Sequence, residues 1–216
     1  MKKFFMAMLV ALIVSVQNFC GAATIESSCF NSNKQLVYPV VHTSDASVDK
    51  KINTTIVAEI DRFLTGVYKN SKEIGAEVAD VRTSYEVGCN EAGNTVILSI
   101  LLTESNFYKM AAHPSTYRVA LNFNVKSGEL MDTGYLTDIG SGNPKFSLDN
   151  VTRKLREHAA QNNLYLFEDA LPLKKLPKNF YWDKNLHVHL IFQHYEVAPY
   201  AAGIIDVDMD AKLIRN

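Results

Sequence analysis

The sequence predicts an α+β fold in which two main helices, at about 48–68 and 147–162, pack on mostly antiparallel sheet. In both helical segments apolar residues recur at three- and four-residue spacing, the pattern of an amphipathic helix. Between and after them, short runs alternate apolar and polar residues, which is typical of strands with one buried face. This order of elements favours an α+β domain.

The helix at about 48–68 has the most regular pattern. Ser44 to Ser47 supplies residues that begin helices, and Asp49 follows in the first turn, where the helix dipole favours a negative charge. Its apolar stripe consists of Val48, Ile52, Ile56, Ile60, Phe63, Leu64 and Val67. The second helix begins at Ser147, and one of its faces carries Leu148, Val151, Leu155 and Ala159.

Short strands account for most of the remaining chain. They are predicted at 36–41, 79–87, 95–103, 117–125, 186–192 and 204–209. Residues 95–103 are apolar on both faces, so this strand is predicted to be central and to form a hairpin with the strand before it. Residues 130–146 are predicted to form a loop, because they are rich in glycine and small polar residues.

The first 23 residues have the composition of a signal peptide. Lys2 and Lys3 precede an apolar run from Phe4 to Val16, and the small residues Gly21 to Ala23 follow. An uncleaved membrane anchor is the alternative, but the run is shorter than the ~20 apolar residues that a spanning helix needs. We therefore expect a periplasmic or extracellular protein. The remaining chain is predicted to form two α+β halves, at 24–110 and 111–216.

Charge and cysteine content fit that compartment. The 22 basic and 23 acidic residues give a net charge of −1, which becomes −3 if Lys2 and Lys3 leave with the signal. Nucleic acid is not an expected partner, because phosphate contacts need a basic face, and no later segment is apolar enough to span a membrane. Cys20 lies in the predicted signal and would leave with it, so Cys29 and Cys89 remain as a pair. In an oxidising compartment these two cysteines are predicted to form a disulfide, and the alternative is two separate thiols.

Residue patterns for catalysis or metal binding are weak. His187 and His189 lie two apart on a strand and His194 follows, so a zinc site is one reading and a solvated strand face is the other. Glu196 with Asp206, Asp208 and Asp210 suggests glycosidase-like paired carboxylates, or simply the wet side of a terminal strand. There is no Gly-x-Ser-x-Gly elbow and no phosphate-binding glycine loop. We predict no catalytic residue, no metal and no cofactor.

The segment from Phe192 to Gly203 combines three aromatic rings, Glu196, a proline and a glycine directly after a strand. Tyrosine has a broad apolar face and a polar tip, which suits sugar rings or a protein partner. Alternatively, Tyr195 and Tyr200 fill the core while Pro199 and Gly203 shape a bend between two strands.

The residues of this segment resemble a known family. Phe192 to Gly203, preceded by Phe180-Tyr181-Trp182, is similar to the C-terminal signature of a bacterial extracytoplasmic domain family of unknown function. That family occurs in RsiV-type anti-sigma factors and in the N-terminal region of some peptidoglycan deacetylases. Ala111 to Tyr117, followed by Asn122 to Leu130, resembles its central stretch, although residue 124 is Asn where an acidic residue is expected. Tyr38-Pro39 and the helix around Ile52 resemble the companion N-terminal domain.

The resemblance implies a non-catalytic binding module of the cell envelope that recognises lysozyme or peptidoglycan. The chain lacks both the sigma-binding segment and a deacetylase domain, so those activities are not implied. The expected binding residues are His113, Tyr195, Glu196 and Tyr200, because they lie in the two similar motifs. The alternative function is a cell-wall hydrolase, or another envelope enzyme, that uses Glu196.

Overall fold

In the computed structural model, which describes residues 22–91 and 94–214, three α-helices pack against three antiparallel sheets. The helices are α1 (Ala46–Ile74), α2 (Thr133–Gly140) and α3 (Leu148–Gln161). The strands are β1 (Thr24–Cys29), β2 (Val37–His42), β3 (Val78–Asn90), β4 (Ile97–Tyr108), β5 (Ser115–Asn124), β6 (Asn179–Trp182), β7 (His187–Phe192) and β8 (Ile205–Lys212). The sheet orders are β1-β2, β3-β4-β5 and β6-β7-β8. The predicted α+β class is confirmed.

Helix α1 begins and ends where its sequence provides caps. The Asp45 carboxylate accepts hydrogen bonds from the backbone N–H groups of Ser47 and Val48, and Gly75 ends the helix in the left-handed region at φ 67°. Six apolar side chains of the predicted stripe are buried: Val48, Ile52, Ile56, Ile60, Phe63 and Val67. They cover one face of the β3-β4-β5 sheet, where Ile52 and Ile56 share a core with Leu98, Ile100 and Leu102 of β4.

Strand β4 is central in its sheet, as its two apolar faces predict. Its other face contributes to a second core, in which Ile97 packs with side chains of α2, α3 and the β6-β7-β8 sheet. Trp182 of β6 and Leu155 of α3 are fully buried in this core. Within the described residues, one core thus lies on each face of β4, and a smaller apolar cluster contains Leu36, Phe63, Val67 and Val81.

Buried side-chain hydrogen bonds join β6 to the β3-β4-β5 sheet. The Ser99 hydroxyl donates to Asn122 Oδ1 at 2.7 Å and accepts from the Trp182 backbone N–H at 3.1 Å, while Asn122 Nδ2 donates to the Phe180 carbonyl at 2.7 Å. Gly88 of β3 lies directly beneath β6, where a Cβ atom would be 2.6 Å from the Trp182 carbonyl oxygen. These contacts fix the β6-β7-β8 sheet against the β3-β4-β5 sheet.

Three elements differ from the sequence prediction. The predicted loop 130–146 contains helix α2, which Asp132 caps by accepting hydrogen bonds from Gly134 and Tyr135, and in which Leu136 is fully buried. Strands β1 and β6 were not predicted, because β1 has a single strongly apolar side chain before Cys29 and β6 is only four residues long. The predicted boundary between two halves, at residue 110, falls between β4 and β5, and these two strands pair with each other. The division into two halves stays a prediction.

The structure does not join Cys29 and Cys89 in a disulfide, so the predicted pairing is not supported. Cys29 is exposed at the end of β1, whereas Cys89 is buried in the second core and its thiol donates to the Ile97 carbonyl at 3.6 Å. The predicted signal lies outside the described residues except for its last two. No helix within the described ranges has the length and apolar character that crossing a membrane requires.

Candidate functional site

Four rings from two distant segments of the chain form one group, which we call the aromatic cluster: His113, His194, Tyr195 and Tyr200. The Tyr200 ring stacks on His113 with 3.8 Å between centroids and on His194 with 4.2 Å. The Tyr195 ring is 6.0 Å from Tyr200, and its hydroxyl lies 3.5 Å from His113 Nε2. Tyr195 is 59% exposed, so the cluster presents one aromatic side chain to solvent.

Backbone contacts hold the two segments of the cluster together. His113 lies between β4 and β5, and the Tyr200 hydroxyl donates to the carbonyl of the next residue, Pro114, at 2.8 Å. Gln193 docks on β5 by donating its side-chain N–H to the Arg118 carbonyl at 2.7 Å and accepting the Arg118 N–H at 3.1 Å. The loop after β7 is therefore fastened at two places to β5 and the residues before it.

Glu196 has a local role in this loop. Its Oε2 accepts the backbone N–H of Gln193 at 2.9 Å, and its own N–H donates to the Gln193 carbonyl at 3.1 Å. The turn so formed holds Tyr195 in the left-handed region, at φ 63°. Glu196 is exposed and organises the turn that presents Tyr195.

The structure thus brings three of the four predicted binding residues into contact, and Glu196 is adjacent to them in the turn. Their role in binding stays a prediction. Sequence reasoning missed His194 as a member of the cluster, because its place beside Tyr200 depends on the fold. Burial, together with the proximity of His113, lowers the pKa of His194, which favours the neutral ring in this stack.

The strand histidines belong to two separate carboxylate groups. His187 Nδ1 lies 3.3 Å from Asp208 Oδ2, and Asp210 is close to both. Lys154 already pairs with Asp210, and this hydrogen bond lowers the pKa of that carboxyl. A metal ion at this exposed position would compete with the ammonium group of Lys154, so the arrangement serves as an ion-pair network of α3 and β8.

His189 lies in a half-buried network beside the β3-β4-β5 sheet. Asp206 accepts hydrogen bonds from His189 Nδ1 at 2.8 Å and from the Tyr181 hydroxyl at 2.9 Å, and the rings of His189 and Tyr181 stack at 4.7 Å. Burial lowers the pKa of His189, but the Asp206 hydrogen bond and charge outweigh it, and the net pKa is raised. Arg118 approaches Asp206 at 3.7 Å from β5.

We expect Asp206→Asn to lower the pKa of His189, because the variant removes the charge and weakens the bond that favours the protonated ring. In the native protein, protonated His189 stabilises the fold fully below its unfolded pKa of about 6.5, and this contribution is lost as pH rises through the higher folded pKa. An NMR titration of the His189 ring protons measures the change. An unchanged His189 pKa in Asp206→Asn would contradict the assignment.

A cavity of about 1050 Å³ lies elsewhere, between α2 and the segment after α3. Its walls are mostly apolar and include Leu136, Phe146 and Leu176. None of the four predicted binding residues lines it. The aromatic cluster is accordingly a surface feature and does not form the wall of this cavity.

Comparisons with known proteins show that part of the chain is similar to a family. The family model described as "Protein of unknown function (DUF3298)" matches residues 137–212, which run from α2 to the end of β8. The match covers 76 of the 216 residues, from 137 to 212. It contains Tyr195, Glu196 and Tyr200, whereas His113 lies outside it. The predicted likeness to a domain of unknown function is confirmed at this level, and its links to anti-sigma factors and deacetylases stay predictions.

A solved structure extends the similarity beyond the residues that the family model matches. The crystal structure of a DUF3298 family protein from Pseudomonas aeruginosa PAO1 matches with a TM-score of 0.52 and 13% identity, over 87% of each chain. At this identity the likeness is one of fold. No curated protein matches the chain.

Proposed function

We propose that this protein is an exported, non-catalytic binding module of the bacterial cell envelope, acting in the periplasm or outside the cell. In this proposal the aromatic cluster contacts the glycan of peptidoglycan. The observation that carries the proposal is the stacking of His113, His194 and Tyr200, from two distant segments, beneath the exposed ring of Tyr195. Such a supported aromatic face suits the apolar face of a sugar ring.

Charge pairing favours a glycan over a basic protein such as lysozyme. On and beside the β6-β7-β8 sheet, Asp210 pairs with Lys154, Asp206 accepts from His189 and Tyr181, and Glu86 of β3 pairs with Arg118 of β5 at 3.0 Å. These carboxylates are already engaged within the molecule. Lysozyme is therefore the alternative partner, to be separated by experiment.

The geometry of Glu196 supports binding over hydrolysis. A carboxyl that acts as a general acid is typically shielded from water. Glu196 is exposed, and its Oε2 already accepts the backbone N–H of Gln193. Its contacts explain the turn without a catalytic role.

Co-sedimentation with insoluble peptidoglycan tests the proposal. Tyr195→Ser is expected to weaken capture at least tenfold, because it removes the exposed ring while leaving the three stacked rings of His113, Tyr200 and His194. Tyr165→Ser is the matched control, since Tyr165 is 64% exposed and lies outside the aromatic cluster. Thermal unfolding of both variants should stay close to that of the native protein.

Three outcomes contradict parts of the proposal. Equal capture by Tyr195→Ser and the native protein would remove the aromatic cluster as the site. Capture of lysozyme that Tyr195→Ser abolishes, without capture of peptidoglycan, would favour the protein partner. Release of soluble peptidoglycan fragments that disappears in Glu196→Gln would establish the hydrolase alternative.

A further inference from the structure

A groove lies next to the aromatic cluster, between α1 and the face of β4 and β5 that α1 covers. This groove has a volume of about 610 Å³, within the range of small-molecule sites. Its wall includes Arg62 and Phe63 of α1, Glu104 and Asn106 of β4, Tyr117 of β5, and Gln193 from the loop after β7. Gln193 thus belongs both to this groove and to the loop that presents Tyr195.

Two polar side chains in the groove are deeply buried and incompletely bonded. Glu104 is 1% exposed and Asn106 is 4% exposed. Within the described ranges of the chain, neither Glu104 Oε1 nor Asn106 Nδ2 has a hydrogen-bond partner. A buried polar atom without a partner costs free energy, about 1–3 kcal/mol, so two such atoms together call for an explanation.

The two side chains form a pair with a defined spacing. They lie two residues apart on β4, so they point to the same face about 7 Å apart along the strand. Asn106 Nδ2 offers a hydrogen-bond donor. Burial raises the pKa of Glu104 to about 8, and the nearby charge of Glu59 acts in the same direction, so the carboxyl is mostly neutral at pH 7.

The part of the groove around Glu104 and Asn106 favours an uncharged group, whereas Arg118 and Lys178 also line the groove. Arg62 pairs with Glu59 and lies 3.5 Å from Glu104 Oε2, so its charge is balanced within the groove. The rings of Phe63 and Tyr117 supply apolar walls, and Tyr117 is 46% exposed. Amide, hydroxyl and aromatic groups around a neutral carboxyl are complementary to a polar, uncharged molecule with an apolar face.

We propose that this groove is a ligand site for a neutral sugar that carries an acetamido group. The acetamido N–H donates to Glu104 Oε1, and its carbonyl oxygen accepts from Asn106 Nδ2. An amide presents its N–H and C=O in opposite directions, so one group serves both atoms. The choice of a sugar among acetamido compounds rests on the proposed function, whereas the pairing with Glu104 and Asn106 rests on the groove.

An NMR titration of the ¹⁵N-labelled protein with N-acetylglucosamine tests this site. The side-chain NH₂ resonances of Asn106 are expected to shift saturably, with a dissociation constant on the order of 1 mM. Glucose, which has no acetamido group, should leave them unshifted at the same concentrations. Asn106→Leu, followed by the backbone resonances around the groove, should weaken binding at least tenfold.

The variants keep folding and binding apart. Asn106→Leu replaces an unpaired polar group with an apolar one of similar size, so its unfolding midpoint should be equal or higher; Asn106→Val is the second variant if Leu does not fit. Tyr165→Ser, at an exposed ring outside both the groove and the aromatic cluster, should leave the binding of N-acetylglucosamine in the groove unchanged. Absence of a saturable Asn106 shift, an equal response to glucose, or native affinity in both Asn106 variants would each overturn the groove site.

The two proposals fail separately. Loss of the groove response with intact, Tyr195-dependent capture of peptidoglycan would remove only the groove site. A groove response without capture of peptidoglycan would remove only the aromatic cluster as the glycan contact.

Discussion

Trp182→Ala is expected to lower the free energy of unfolding by about 3–5 kcal/mol, the range for deleting a buried aromatic side chain. Trp182 is fully buried and packs edge-on against Phe180 at 5.1 Å and Tyr135 at 6.1 Å. Its indole N–H donates to the Leu213 carbonyl at 2.9 Å. Alanine leaves both a cavity in the second core and a buried carbonyl without its donor.

Urea unfolding followed by far-UV circular dichroism measures this effect, because Trp182 is the single tryptophan and its fluorescence is lost in the variant. Trp182→Phe separates the two causes: it retains most of the ring packing, so its cost should come largely from the unpaired Leu213 carbonyl, about 1–3 kcal/mol. Tyr165→Ala, at an exposed ring, should change the free energy of unfolding by about 0.5 kcal/mol or less. A Trp182→Ala cost equal to that of Tyr165→Ala would contradict the described core.

Elements with a strong local pattern were predictable from the sequence. Helix α1 has an apolar stripe and the cap Asp45, and both depend only on neighbouring residues. Strand β4 is apolar on both faces, which requires cover on both sides wherever it lies. Helix α2 lacked such a signal, because its eight residues include two glycines and its burial of Leu136 depends on the second core.

The sites depend on contacts that no local pattern contains. His113 and Tyr200 come together because the loop after β7 docks on β5, where Gln193 meets Arg118 across a sequence separation of 75 residues. Motif resemblance selected His113, Tyr195 and Tyr200, but it gave no reason to include His194 or the groove. Glu104 looks like an ordinary polar residue at the end of a strand until α1 covers it.

Because of Glu104, the free energy of unfolding is expected to decrease as pH rises from about 4.5 to about 8. Its folded pKa is about 8, above the ordinary value of 4.5, because burial disfavours the charged carboxylate. Between these two values the folded protein holds a proton that the unfolded chain has released. The stabilisation by protonated Glu104 is therefore complete below pH 4.5, and it decreases by up to about 1.4 kcal/mol per pH unit until pH passes 8.

Glu104→Gln should remove this slope, since glutamine has nearly the same shape and no charge to bury. The variant should gain stability relative to the native protein as pH rises, by about 2–4 kcal/mol at pH 8, and differ little at pH 4.5. Glu73→Gln removes an exposed carboxylate from α1 and serves as the control, with a slope like that of the native protein. Urea unfolding at intervals between pH 4.5 and pH 9 measures the free energy of unfolding of all three proteins. In the difference between variant and native protein, the contributions of all other titrating groups, His189 included, cancel. Parallel stability curves for Glu104→Gln and the native protein would mean that Glu104 is solvated, and the groove would then lose the neutral carboxyl on which its preference for uncharged ligands depends.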